Sequence, residues 1–232
     1  TPTEETRGML YYWMRQAIDI VQPKVFIAEN VKGLKSMPNV VGAIKRDFEN
    51  TGDEGYFVIE PRVINAANYG IPQNRERIFF IGFNKKHMRK KALKKLESGY
   101  LPDDYDPFPE ITHTFSKNMD LFKNSDDLKD VVTTEEAFQG LNEPNLEKLD
   151  SAQMVYSKAK YFHGLQGNIE LKNNKVGPTI RAEHHGNIEF RRLSKEHGGV
   201  KIKELDAGLI ERRLTVRECA RIQTFPDDYE FV

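Results

Sequence analysis

The apolar positions in the first part of the chain follow a helical period, interrupted by short continuous runs. Between Gly8 and Val21 they recur at steps of three and four residues, which predicts an amphipathic helix that stops before Pro23. The same period returns over Asn39 to Asn50, and the apolar run from Lys24 to Ala28 predicts a buried strand between these two helices. The stripe of the first helix consists of Leu10, Trp13, Met14, Ala17, Ile18 and Val21.

Two further apolar stretches predict strands, one from Tyr56 to Ile64 and one from Arg77 to Phe83. Pro61 has no backbone N–H to donate, so the first of them is expected to be an edge strand or an interrupted one. Helices that alternate with apolar strands favour βαβ packing on a sheet. The first part of the chain is therefore predicted to be α/β, half of a doubly wound domain.

The pattern changes after Asn84. A basic stretch from Lys85 to Lys95 faces a single acid, Glu97, and periodicity is weak from there to about residue 150. The lysines fit either the solvated face of a helix or a patch that tracks phosphates, in which case Lys90 contacts DNA. Residues 151–212 mix short apolar pieces with Gly-rich turns, which predicts short strands and long loops.

Composition limits the class of protein. The 232 residues carry 35 basic and 35 acidic side chains, so any DNA affinity must come from charge placed on one face. No apolar run approaches the ~20 residues of a membrane span, and the N-terminus does not resemble a signal peptide. The single cysteine excludes an internal disulfide framework and a Cys-type zinc cluster, which favours a reducing, intracellular setting.

A capped helix is predicted near the C-terminus. Thr215 and Glu218 have the spacing of a capping box, in which each side chain satisfies a backbone N–H of the first turn. Leu214 and Cys219 occupy the two positions of a hydrophobic staple, so Cys219 is expected to be buried. Arginines 217 and 221 are expected to project from other faces, and Pro226 ends the segment.

Two clusters of polar residues are candidates for chemistry. Glu29-Asn30-Val31 follows the predicted strand, and ligands bind at the carboxyl ends of strands in open α/β sheets, although Glu29 could equally cap the next turn. Arg75 and Arg77 point the same way if the strand has already begun at Arg75. Their guanidinium groups could hold a carbonyl oxygen or a carboxylate of a ligand, or pair with acids of the protein.

Four blocks resemble the C5-cytosine DNA methyltransferase family. The segment Arg213–Tyr229 is similar to the family's R-x-L-T-x-R-E-x-A-R-x-Q-x-F-P-D-x-Y block, and Glu29-Asn30-Val31 is similar to its E-N-V block. The segment Gln73–Arg77 is similar to its Q-x-R-x-R block, and Thr6–Leu10 is similar to its R-G-x-L-F segment. The resemblance implies a partial doubly wound, Rossmann-like methyltransferase domain over residues 1–84. It also implies a smaller, irregular, strand- and loop-rich target-recognition domain over 85–210, and a C-terminal helix block over 211–232 that braces the two.

The resemblance also implies a reaction. Such enzymes flip a cytosine out of double-stranded DNA and transfer a methyl group from S-adenosylmethionine to its C5 atom. Glu29 matches the residue that donates a proton or hydrogen bond to N3 of the base, and a dry pocket would favour its protonated form. Arg77 matches the residue that holds O2 of the cytosine, and Arg75 and Asn30 are expected to orient this pocket.

The family's Pro-Cys-Gln nucleophile block and Gly-rich methyl-donor loop are not found in these residues, so the S-adenosylmethionine site is incomplete. Cys219 lies in a block whose family role is architectural and is not expected to react. The chain is therefore expected to be inactive alone and to work with the missing N-terminal catalytic segment, either covalently joined or as a separate subunit. The implied setting is a restriction-modification system in a prokaryotic cytoplasm, associated with the nucleoid and not with a membrane.

The segment from Gly177 to Arg192 is the expected target reader. Arg181, His184 and Arg191 would contact DNA, because their donors and acceptors suit base edges in the major groove; the alternative is a surface hairpin whose charges pair among themselves. Two adjacent histidines without a spaced third ligand make a poor metal site, so no metal is predicted. A non-catalytic DNA-binding module and a relative that methylates RNA remain alternative functions.

Overall fold

The computed structural model of the protein describes residues 10–115, 127–144, 150–157, 168–181 and 188–231. The chain forms two compact units that alternate along the sequence. Unit 1 runs to Ile64 and resumes over Glu76–Glu110, whereas unit 2 comprises Asn65–Arg75 and the chain from Ile111 onward. Residues 85–110 thus belong with unit 1, and residues 211–231 lie within unit 2. Among the described helices, none has the length and apolar character needed to cross a membrane.

Unit 1 contains the helices and strands that the apolar pattern predicts. Pro61 does interrupt the predicted strand from Tyr56 to Ile64, because β2 ends at Val58 and β3 begins at Arg62. The elements are α1 Leu10–Val21, β1 Val25–Val31, α2 Pro38–Glu49, β2 Tyr56–Val58, β3 Arg62–Asn65, β4 Glu76–Asn84 and α3 Lys90–Glu97.

The sheet of unit 1 differs from that of a simple doubly wound half. Its order is β1-β4-β2, with β3 also paired to β4, and β4 runs antiparallel to both β1 and β2. Strands β1 and β2 are joined through α2 and point the same way, but β4 lies between them. Strand β1, helix α2 and strand β2 therefore form a βαβ unit, but its two parallel strands are not hydrogen-bonded to each other. Strand β4 lies between them and runs in the opposite direction.

The core of unit 1 lies on one face of this sheet. Phe26 and Phe48 stack with ring centroids 4.9 Å apart, and Tyr56 packs against Phe26 at 5.2 Å. Gly82 lies directly across from Phe26 in the β1–β4 register, and a Cβ there would come within 2.1 Å of the Phe26 ring. Glycine is therefore required at this position so that the ring can occupy the space.

Two expectations for unit 1 are wrong in part. Strand β1 is buried on one face only, since Ile27 is 60% exposed while Phe26 and Ala28 are buried, and the strand continues through Glu29 to Val31. Helix α1 has the predicted period, but Ile18 is its only buried residue. Leu10, Trp13 and Val21 of its apolar stripe are exposed. Periodicity identified both elements, but it could not show which of their faces are covered.

Unit 2 is built of short strands and helices, as predicted for residues 151–212. Strands β7 and β8 are parallel and β9 is antiparallel to β8, while β5 and β6 form a separate parallel pair. The elements are β5 His113–Thr114, β6 Lys129–Asp130, α4 Thr134–Ala137, α5 Ser151–Met154, β7 Asn168–Glu170, β8 Ile188–Arg192, α6 Ile202–Asp206, β9 Arg212–Arg213 and α7 Val216–Ile222.

Helix α7 begins as predicted. The Thr215 hydroxyl accepts from the Glu218 N–H at 3.0 Å, and a Glu218 carboxylate oxygen accepts from the Thr215 N–H at 2.9 Å. Arg217, which was expected to project from another face of the helix, is 3% exposed and donates to Asp150 and to the carbonyl oxygens of Pro226 and Tyr229. These bonds hold the chain that follows α7.

A buried network of charges joins α7 to the rest of unit 2. Arg212 donates two hydrogen bonds to the Glu218 carboxylate, at 2.8 and 2.9 Å, and a third to Glu143 at 2.9 Å. Arg192, whose side chain is 1% exposed, pairs with Glu143 and with Glu204. Burial alone would raise the pKa of Glu143, but the hydrogen bonds from Arg212 and Arg192 outweigh it and hold that pKa below its ordinary value.

Candidate functional site

The structure brings together Glu29 and Arg77, the two residues that the sequence assigned to the base pocket. In the antiparallel register Val31 lies across from Arg77 and Glu29 across from Phe79, so Glu29 and Arg77 are diagonal neighbours on one face of the sheet. The Arg77 Nε lies 2.6 Å from a Glu29 carboxylate oxygen, so the two side chains form an ion pair. The Glu29 side chain is 44% exposed, so the carboxyl borders solvent and is not in the dry pocket that the resemblance implies.

Other polar groups keep this pair in place. The Arg77 Nη1 donates to the carbonyl oxygen of Glu76 at 2.8 Å, and the Glu76 side chain accepts from Lys32 at 2.6 Å. Among the described residues, neither the Arg77 Nη2 nor the second oxygen of Glu29 has a hydrogen-bond partner. One nitrogen of the guanidinium and one oxygen of the carboxylate therefore remain available to a ligand.

Asn30 lies next to the pair on β1. Its side-chain oxygen accepts from the Val31 N–H at 2.8 Å, which holds the end of the strand. Asn30 and Glu29 line a cavity of about 290 Å³ that is otherwise apolar and extends between α1 and the core residues Ala28, Ile44 and Phe80. Asn30 is therefore placed to shape this site, and its polar atoms are only partly occupied.

Arg75 is separated from Arg77 by the boundary of the two units. Strand β4 begins at Glu76, so the condition for Arg75 and Arg77 to point the same way is not met. Arg75 ends the Asn65–Arg75 segment, which belongs to unit 2. Its carbonyl oxygen accepts from the Ala66 N–H at 3.0 Å, and among the described residues its guanidinium has no hydrogen bond or ion pair.

The Asn65–Arg75 segment is clamped to the predicted target reader. The Asn74 N–H donates to the Gly177 carbonyl at 2.7 Å, the Gly177 N–H donates to the Pro72 carbonyl at 2.9 Å, and the Thr179 hydroxyl donates to the Asn74 carbonyl at 2.8 Å. A Cβ at Gly177 would lie 2.9 Å from the Pro72 oxygen, so the close approach needs glycine. The sequence places Gly177 at the start of the expected target reader, but nothing in it indicates this pairing.

The candidate DNA-contacting residues have different surroundings. Lys90 on α3 and Arg181 after the clamp are exposed. Arg191 is held inside unit 2: its guanidinium lies 4.9 Å from the centroid of the Phe138 ring and donates to Asn173 at 3.3 Å. His184 and the Thr6 to Met9 part of the R-G-x-L-F segment lie outside the described residues.

Cys219 is half-buried and packs against the core of unit 2 beside Leu214 and Ile222. The staple position is confirmed, although the thiol is less buried than predicted. Burial, reinforced by the nearby carboxylates of Glu218 and Glu189, raises the pKa of Cys219 to about 12. A thiol in this state is almost entirely protonated and is a poor nucleophile at neutral pH.

This pKa gives a direct prediction. At pH 8 the folded chain should react with iodoacetamide about a thousandfold more slowly than the same chain unfolded in urea, because three pKa units separate the two thiolate populations. Mass spectrometry of the alkylated cysteine measures both rates. Similar rates in the folded and unfolded chain would contradict the assignment of Cys219 as unreactive.

The sequence contains no pair of glycines at positions i and i+2, so it has no G-x-G turn that could bring a backbone against the methyl donor. Within the described ranges, no group of three or more His, Cys, Asp or Glu side chains is arranged to hold a metal ion.

Comparison with known proteins agrees with the motifs. Residues 1–232 match the family described as C-5 cytosine-specific DNA methylase. The chain is 31% identical over 237 residues to the Type II methyltransferase M.BspRI of Lysinibacillus sphaericus, and 28% identical over 238 residues to M.FnuDI of Fusobacterium nucleatum. These alignments cover 98% of this chain but 46% and 61% of the two relatives, so the chain spans roughly half the length of the proteins it matches.

A solved structure supports the fold. The crystal structure of an E. coli protein, described as a DNA modification methyltransferase encoded within a prophage, superposes with a TM-score of 0.53 at 19% identity. The superposition covers 99% of this chain and 67% of that chain. The motifs, the mixed α/β fold and the match along the whole sequence lead to one conclusion: this chain belongs to the C-5 cytosine-specific DNA methylase family.

Proposed function

We propose that this chain provides the base pocket and the target-reading part of a DNA cytosine-5 methyltransferase that uses S-adenosylmethionine. The observation that carries the proposal is the Glu29–Arg77 pair, in which a carboxylate and a guanidinium meet at 2.6 Å beside an apolar cavity. Pure recognition of duplex DNA has no need for such a pair, whereas a flipped cytosine presents a carbonyl oxygen and a ring nitrogen side by side.

Arg77 and Glu29 bind different atoms of the base. The free guanidinium nitrogen of Arg77 donates to O2 of the cytosine, and the carboxyl of Glu29 faces N3. Glu29 then donates a proton or a hydrogen bond to N3, the role of the family residue that it matches. Arg77 stays charged throughout and fixes the carboxyl so that little reorganisation is needed.

The nucleophile and the methyl donor come from elsewhere. In such an enzyme a thiolate adds to C6 of the base, and the methyl donor supplies the group that C5 receives. Cys219 does not fill the first role, since its thiol is held protonated in the core of unit 2, and no residue here forms the second site. We therefore propose that these 232 residues are inactive until a segment with the Gly-rich and Pro-Cys-Gln blocks is present.

Complementation tests this proposal. The 232-residue chain is mixed with a polypeptide that supplies the two absent blocks, and transfer of tritium from labelled S-adenosylmethionine to duplex DNA is measured. We expect no transfer by either polypeptide alone and transfer by the mixture. Methylation by the 232-residue chain alone would contradict the proposal that another segment supplies the nucleophile and the methyl-donor site.

A non-catalytic DNA-binding module is the second candidate, favoured by the unreactive state of the single cysteine. It predicts duplex binding by the chain with no transfer by the mixture, even when both polypeptides are folded. Transfer by the mixture excludes it.

A further inference from the structure

A second cavity lies in unit 2, beside the clamp between Asn74 and Gly177. Its volume is about 370 Å³, and its wall is apolar at Phe115, Ile169 and Pro178. The ring of Phe115 is 52% exposed, which is unusual for a large apolar side chain that borders a cavity. Lys172 and Lys175 line the same cavity, and both are exposed.

The lysines are carried by a rigid turn. The Lys175 N–H donates to the Lys172 carbonyl at 3.1 Å. Thr134, a fully buried residue at the start of α4, binds both ends of the turn: its hydroxyl donates to the Lys172 carbonyl and its N–H to the Lys175 carbonyl, each at 2.8 Å. The backbone is thus fixed while the two side chains remain free to reach a ligand.

The positive charge at this cavity is not neutralised within the described structure. Neither Lys172 nor Lys175 forms an ion pair with a described residue. Glu170 also lines the cavity, where its carboxylate oxygens accept from the Leu193 N–H at 3.0 Å and from the Val200 N–H at 2.8 Å; its negative charge offsets one of the two lysines, so the lining keeps a net positive charge. Two unpaired cations beside an apolar ring complement a strand of DNA, whose phosphates are anionic and whose deoxyribose faces are apolar.

We propose that this cavity is a docking site for the sugar–phosphate backbone of the DNA substrate. Lys172 and Lys175 bind phosphates, and the exposed ring of Phe115 packs against deoxyribose. The inference rests on the proposed function, since DNA is its ligand, but it names contacts outside the base pocket. Because the cavity borders Asn74 and Gly177, a strand held here lies beside the clamp that carries Arg75 and precedes Arg181. The site contributes binding affinity and fixes the position of the protein along the DNA, and it does not distinguish one base from another.

Salt dependence of DNA binding tests the assignment. The binding of the full 232-residue chain to a labelled duplex of mixed sequence is measured by fluorescence anisotropy over a range of NaCl concentrations. Lys172→Ala/Lys175→Ala should lower the slope of log K against log salt by about 1.8, because each lost phosphate contact removes about 0.9. Phe115→Ala should weaken binding about tenfold without changing the slope, since it removes apolar contact only.

The matched control is Lys195→Ala/Lys203→Ala, which removes two exposed lysines of unit 2 that do not line the cavity. It should leave the slope unchanged. A wild-type slope in the Lys172/Lys175 variant, or an equal drop in the control, overturns this inference and leaves the proposed function intact. Absence of duplex binding by the wild-type chain contradicts both proposals.

Discussion

In the complemented enzyme, Glu29→Gln should lower kcat for methyl transfer by about 10²- to 10⁴-fold, the range of a lost general acid. Glutamine keeps the shape of the side chain and can still contact N3 of the base, but it cannot supply a proton. The ion pair with Arg77 at 2.6 Å is also lost, while the contacts with DNA outside the base pocket remain. Single-turnover kinetics with duplex DNA measure the change in rate, and anisotropy measures the affinity for the duplex.

Glu76→Gln is the matched control for this experiment. Glu76 directly precedes Arg77, and its side chain pairs with Lys32, whereas the contact between Glu76 and Arg77 uses the backbone carbonyl. This variant removes an acid close to the pocket without touching the Glu29–Arg77 pair, so the rate should stay near that of the wild type. Equal losses of rate and duplex affinity in Glu29→Gln would rule out proton donation as its role.

Arg212→Met should lower the free energy of unfolding by about 3–5 kcal/mol, the usual effect of leaving a buried charge without its partner. The variant leaves the Glu218 carboxylate, which is 3% exposed, without two hydrogen bonds and removes one from Glu143. Methionine fills part of the volume but offers no donor. Urea denaturation followed by circular dichroism measures the loss.

Lys195→Met provides the comparison for Arg212→Met. It breaks the ion pair with Asp206, in which both side chains are more than half exposed, so it should cost about 0–1 kcal/mol. A loss in Arg212→Met no larger than that of the surface variant would show that the buried network does not stabilise unit 2.

The parts of the fold that could be predicted are those determined by neighbouring residues. The capping box of α7 depends on two residues three positions apart, and the break between β2 and β3 depends on one proline, so both follow from the sequence. The position of β4 between β1 and β2 depends on pairing across about fifty residues, which periodicity does not report.

The contacts of the charged residues depend on both neighbouring and remote parts of the chain. Glu29 and Arg77 were identified through motifs, and the strand register accounts for their contact. Arg217 was expected to project from another face of its helix and Arg191 to contact DNA. Their partners come from remote segments: Asp150 and the Tyr229 carbonyl bind Arg217, and Phe138 and Asn173 contact Arg191. No local pattern reveals such partners.

The clamped segment Asn65–Arg75 also sets an order of events during synthesis. Its partners are made much later, since Thr179 follows Asn74 by 105 residues and Ile222 follows Gln73 by 149. At a translation rate of about 5–20 residues per second, Ile222 is added roughly 7–30 s after Gln73. Strands β3 and β4 on either side of this segment can pair during that time. The hydrogen bonds that join Asn74 to Gly177 and Thr179 can therefore form only after the chain has been synthesised through Thr179.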